Sequence, residues 1–136
     1  MEEKRPFTDI KPFPNEKKAE VDRMLEAAVK ADDRKILVLD DDPTGVQTVH
    51  DISVYTDWSV ESLQSGLEEE NKCFFVLTNS RGLTAEQTTT VHREIIRNAV
   101  EASRRSGKSF IMISRSDSTL RGHYPLETRL IAEGLE

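Results

Sequence analysis

A single cysteine, Cys73, stands among the 136 residues. A lone thiol excludes both a disulfide framework and a multi-thiolate zinc site. No apolar run approaches the ~20 residues that a membrane-crossing helix requires. The opening residues, MEEKRPFTDI, lack the apolar stretch of a secretory signal, so a cytoplasmic protein is expected. Positive charge is also short: 19 Lys and Arg against 25 Asp and Glu give a formal charge of −6. A nucleic-acid binder would carry a basic face instead. Internal repeats and low-complexity tracts are missing too. What remains is a globular composition, 36% hydrophobic and 32% charged, long enough to bury a core of its own.

The charge is unevenly spread. Residues 1–35 are neutral in sum, with 9 basic and 9 acidic side chains, and residues 36–136 carry the whole −6. Eight of the 10 basic residues in that second stretch are arginine, the side chain suited to forked recognition of carboxylate or phosphate. Arg93, Arg97, Arg104 and Arg105 fall on a helical pattern and read as exposed decoration. Arg81, Arg115 and Arg121 fall elsewhere.

Residues 1–34 read as an irregular arm with Pro6, Pro12 and Pro14, then a helix. Asn15 offers its N-cap, and Val21, Leu25, Ala28 and Val29 recur at helical spacing. From residue 35 the pattern changes. KILVL (35–39), CFFVLT (73–78) and SFIMIS (109–114) are short apolar runs of the kind buried parallel strands show. ISVYT (52–56) is a weaker strand. Ser59 caps a short helix expected to end near Gly66. Thr84 and Gln87 form a capping box opening a helix over about 85–105, which Gly107 ends. Leu126, Leu130 and Ile131 predict a last helix. Strands alternating with helices make an α/β layer on a mostly parallel sheet.

Three of the apolar runs end in a polar segment containing glycine: DDDPTG (40–45), TNSRG (78–82) and SRSDSTLRG (114–122). Ligands of open parallel sheets sit beyond the carboxyl ends of the strands, so the three segments are expected to share one crevice. Together they bring Asp40, Asp41, Asp42, Arg81, Arg115, Asp117 and Arg121, with the hydroxyls of Thr44, Ser80, Ser118 and Thr119. A guanidinium pairs with a carboxylate and an Asp accepts from hydroxyls, so the mixture suits a small hydroxylated anion. The plainer reading is that these are ordinary turns in which Asp and Ser cap the next helices. His50 and His92 have no second ligand at metal spacing, and His92 reads as a surface residue of its helix. His123 either leans into the crevice or caps a helix. Cys73 reads as a buried, inert thiol, Trp58 as packing, and Glu68–Glu70 as a solvated helix end.

VLDDDPTG, LTNSRGLTAEQ and ISRSDSTLRGHYPLE, in that order over residues 35–136, resemble the N-terminal, sugar-binding domain of the four-carbon acid sugar kinases. The resemblance implies a three-layer, partly Rossmann-like α/β domain with helices on both faces of the sheet. It implies contacts with a sugar acid (threonate, erythronate or 3-oxo-tetronate) from Asp41, Asp42, Arg81, Arg115, Ser116, Asp117, Ser118, Arg121 and Gly122. Asp41 and Asp42 are also the candidates for a catalytic role. Many members carry Lys where Arg115 stands. Members add a C-terminal nucleotide-binding domain that takes ATP and Mg²⁺. No glycine-rich nucleotide loop occurs here, so a partial domain that is inactive alone, holds neither cofactor, and contacts no nucleic acid or membrane is expected.

Two rival readings remain open on the residues themselves. VLDDDPT fits the signature that closes the first strand of haloacid-dehalogenase-type phosphatases, with Asp40 as nucleophile and Asp42 as acid and base about Mg²⁺. That chemistry needs a Lys and a later acidic pair, and residues 109–136 offer arginines instead. The other reading is a non-enzymatic sugar-acid binding module.

Overall fold

A computed structural model of the chain describes residues 17–117 and 121–136. The chain divides into two compact units, residues 1–33 and 34–136. In the first, α1 runs Lys18–Ala31. Lys17 occupies its N-cap position without a side-chain bond, whereas the expected cap, Asn15, lies outside the described residues. Val21, Leu25, Ala28 and Val29, the stripe the sequence predicts, are all exposed, and so is Met24.

The second unit is a four-stranded parallel sheet in the order β2-β3-β1-β4: β1 Lys35–Asp40, β2 Val54–Tyr55, β3 Cys73–Leu77 and β4 Phe110–Arg115. The expected strand 52–56 is real but only two residues long, an edge strand paired at Phe75 and Val76. Three α-helices join or follow the strands: α2 Val60–Glu68, α3 Ala85–Ser106 and α4 Leu126–Leu135.

The local signals act as their chemistry dictates. Ser59 accepts from the Ser62 amide at the start of α2. Thr84 accepts from the Gln87 amide while the Gln87 side chain accepts from the Thr84 amide, a reciprocal capping box. Gly107 stops α3 with φ 68. α2 ends at Glu68, two residues past Gly66, its last turn closed by the Glu69 amide on the Ser65 carbonyl.

Side chains alternate across a strand, so the sheet has two distinct faces. Leu37, Leu39, Phe74, Val76 and Met112 share one face and pack with Leu63 and Leu67 of α2, Ile95, Ile96, Ala99 and Ala102 of α3, and Leu130 of α4. Trp58 packs against this core, as expected. Ile36, Val38, Phe75, Ile111 and Ile113 lie on the other face, with Ile113 exposed. The helices of this unit thus flank one side of the sheet. The parallel sheet with its flanking helices is the α/β fold that the sequence predicts. Among the described residues, no helix is long and apolar enough to cross a membrane.

Candidate functional site

β1 is the central strand, and its register places Asp40 beside Leu77 of β3 and Arg115 of β4. The segments that follow the three strands therefore leave the sheet at one edge, as the sequence predicts. The backbone ties them together. The Thr78 amide donates to the Asp40 carbonyl at 2.8 Å, the Arg81 amide to the Asp41 carbonyl at 3.3 Å, and the Asp41 amide to the Arg115 carbonyl at 3.4 Å.

Asp41 is the hub of the side chains. Its carboxylate is almost fully buried and takes a fork from Arg81, Nε to Oδ2 at 3.0 Å and Nη2 to Oδ1 at 2.9 Å. Oδ2 also accepts from the Asp117 amide at 3.1 Å, so this one carboxylate clamps all three segments. The third nitrogen of Arg81, Nη1, lies 3.3 Å from Asp42 Oδ2. Those hydrogen bonds to Asp41, and then the charges of Asp41, Asp42 and Asp117, hold the guanidinium above its ordinary pKa. Asp42 is more open, and its Oδ1 accepts from the Thr44 amide at 2.8 Å. Bonding to Thr44 first, and the charges of Arg81 and Arg115 after it, keep Asp42 below the usual carboxylate range.

Asp40 points the other way. It is fully buried, its Oδ1 meets Arg115 Nη1 at a long 3.5 Å, and Oδ2 has no hydrogen-bond partner among the described residues. Burial pushes its carboxyl up, against the pull of Arg115. A Cβ on Gly45 would stand 1.9 Å from Asp40 Oδ2, so glycine is what lets the 40–45 turn close over this carboxylate. An Asp so enclosed cannot serve as the exposed nucleophile of the phosphatase reading.

The Arg115 side chain is 45% exposed at the strand end, with Nη1 toward Asp40. Ser116 is half-buried, its hydroxyl 3.3 Å from that of Ser114. Arg121 is exposed and pairs with Asp117 at 3.0 Å. Gly122 is required by close approach, since a Cβ there would fall 1.5 Å from the Asp117 carbonyl oxygen. Ser118 and Thr119 lie outside the described residues.

Several readings of the sequence change here. The Ser80 hydroxyl is not available to a ligand: it is fully buried and donates to Glu127 Oε1 at 2.7 Å. His92 is not a surface residue but is 1% exposed beneath the site. Its Nδ1–H donates to the Thr88 carbonyl at 2.9 Å, Nε2 lies 3.7 Å from Glu127 Oε1, and burial lowers its pKa. His123 neither enters the crevice nor caps a helix; its Nε2–H is shared between the carbonyls of Ser80 and Leu83. Cys73 is half-buried rather than buried, and burial raises its thiol pKa. Glu69 is not merely solvated, because it accepts from the Tyr55 hydroxyl at 2.6 Å. Glu127 was missed altogether. The signal was there: it interrupts the apolar stripe of Leu126, Leu130 and Ile131. A groove of about 460 Å³ between α3 and α4, lined by Ile96, Val100 and Leu130, lies apart from the strand ends.

A family model described as a sugar-binding N-terminal domain matches residues 36–136. No curated protein and no solved structure matches the chain.

Proposed function

The chain belongs to the sugar-binding N-terminal domain family, and on that premise we propose that it binds a four-carbon sugar acid across the carboxyl ends of β1, β3 and β4. What carries the reading is the convergence of Asp41, Asp42, Arg81, Arg115 and Asp117 on one edge, cations interleaved with carboxylates. Arg115 has an open guanidinium for the ligand's carboxylate, as a threonate, erythronate or 3-oxo-tetronate requires. Asp42 and Asp117 accept from its hydroxyls. Arg81 is largely spent on Asp41 and Asp42, so it serves as the charged floor of the site and offers its remaining N–H groups. Ser116, Arg121 and Gly122 complete the rim.

In the same reading the chain is the acceptor-holding part of a cytoplasmic, ATP-dependent four-carbon acid sugar kinase. Phosphoryl transfer is mostly positioning and charge stabilisation, and this edge positions the acceptor. Of the two candidate catalytic carboxylates, Asp42 is the more open, because Asp41 is committed to Arg81. Among the described residues no group of three or more His, Cys, Asp or Glu could hold a metal ion. Following the resemblance, Mg²⁺ and ATP would be held by a second, nucleotide-binding domain, and the chain alone would bind without phosphoryl transfer.

The test is a titration of the ¹⁵N-labelled chain with erythronate. Amide shifts confined to residues 40–45, 78–82, 115–117 and 121–122 are the expected result. Shifts confined to the α3–α4 groove, or none at millimolar ligand, would contradict the reading.

A further inference from the structure

Helix α4 turns a carboxylate inward. Glu127 is 1% exposed, and burying such a group is costly unless partners meet it. One oxygen, Oε1, accepts from the Ser80 hydroxyl at 2.7 Å and lies 3.7 Å from His92 Nε2. The other, Oε2, has no hydrogen-bond partner among the described residues. Beyond Ser80 the chain of bonds continues: its Oγ lies 3.0 Å from Thr78 Oγ1, which donates to the Asp40 carbonyl, also at 3.0 Å. Four residues before Glu127, His123 donates to the Ser80 and Leu83 carbonyls at 3.1 and 2.9 Å. The 80–82 turn is thus gripped twice from residues 123–127, once at the Ser80 side chain and once at the carbonyls that bracket it. The residue displayed by that turn is Arg81, whose fork closes on Asp41.

We propose that Glu127 is a positioning residue of the site: by accepting from Ser80 it fixes the 80–82 turn and so sets the direction in which Arg81 meets Asp41. The proposal rests on the sugar-acid reading for its functional meaning, but the contact it explains exists without ligand. Glu127 touches neither Arg81 nor the crevice and acts only through Ser80. A hydrophobic side chain of the same length would fill the space and leave only the His123 grip on the turn.

The experiment follows the Arg81 Nε–Hε cross-peak in the ligand-free full chain, with affinity for erythronate as the second readout. Arg105, whose Nε meets Glu101 at 2.8 Å on α3, is the internal reference for loss of fold. Ser80→Ala and Glu127→Ala are expected to move the Arg81 peak to the position of a free guanidinium, leave that of Arg105 in place and weaken erythronate binding about 10-fold. Glu127→Gln still accepts from Ser80 through its amide oxygen and is expected to restore both readouts. Should Glu127→Ala not fold, Ser80→Ala and Glu127→Gln decide the question. An Arg81 peak that stays put in Ser80→Ala overturns the proposal. So does a joint movement of both arginine peaks, or a Glu127→Gln chain that behaves as Ser80→Ala does. A parent that binds no erythronate while its Arg81 peak responds as expected sinks the sugar-acid reading and leaves the positioning role standing.

Discussion

Asp40 and Asp41 are adjacent, and the structure gives them opposite lives. A run of three aspartates after an apolar strand announces a charged turn, but nothing in the run says which carboxylate turns inward. Strand alternation separates them: Leu39 faces the core, Asp40 points to the other side of the strand under Gly45, and Asp41, also buried, meets Arg81. His92 and Glu127 interrupt apolar stripes, a signal that marks the position but, for a related reason, not its burial. Each sits in an apolar helical stripe, and burial of a polar side chain there depends on a partner from another element, which spacing alone does not reveal. The Asp40 environment has a pH consequence. Its folded carboxyl titrates above the ordinary 3.8, chiefly through burial, so the unfolded chain ionises first as pH rises. Ionisation in the folded state then costs stability, which falls from about pH 3.8 upward until the folded group has titrated. Asp40→Asn removes that penalty at nearly constant shape. Urea unfolding of both chains between pH 3.5 and roughly pH 7 is expected to show the variant gaining on the parent as pH rises. Parallel stability curves would mean that Asp40 is not buried in the manner described.

Helix α3 shows how far local chemistry reaches. Its start was legible because a Thr and a Gln three residues apart satisfy each other's backbone donors, and its stop because Gly107 takes a positive φ at no steric cost. Removing the Thr84 hydroxyl leaves the Gln87 amide without its cap, so Thr84→Ala is expected to cost ~1 kcal/mol. A shift in the urea midpoint at constant slope measures it; an unchanged midpoint would show that the capping box does not contribute to stability. The same chemistry marks β1 and β3, whose apolar runs are continuous because central parallel strands are covered on both sides, and β4, an edge strand with an equally apolar run. β2, a short edge strand paired on one side only, is less legible. Which face the helices would take was not legible either, since it depends on the crossing of β3 to β4 over β1 and not on any one segment.

For the whole molecule, the net charge of −6 is a poor guide, because what matters is where the sheet order delivers the charges. The order β2-β3-β1-β4 puts the strand carrying the aspartates between the strands carrying Arg81 and Arg115. That juxtaposition was anticipated from the three glycine-containing segments, while the commitment of Arg81 to Asp41 was not, because a motif names residue types but not their partners. Two arginines that look alike in sequence therefore differ: Arg81 is forked on Asp41, and the more exposed Arg115 is the one proposed to meet the ligand. Calorimetric titration of erythronate into the parent and three variants tests this most directly. A charge-assisted pair contributes ~1.5–3 kcal/mol, so Arg115→Ala is expected to weaken binding ~10- to 100-fold, and Arg115→Lys less, because the charge survives. Arg104→Ala, on the exposed side of α3, should bind as the parent does. Equal affinities for the parent, Arg115→Ala and Arg115→Lys would contradict a sugar-acid site at this sheet edge.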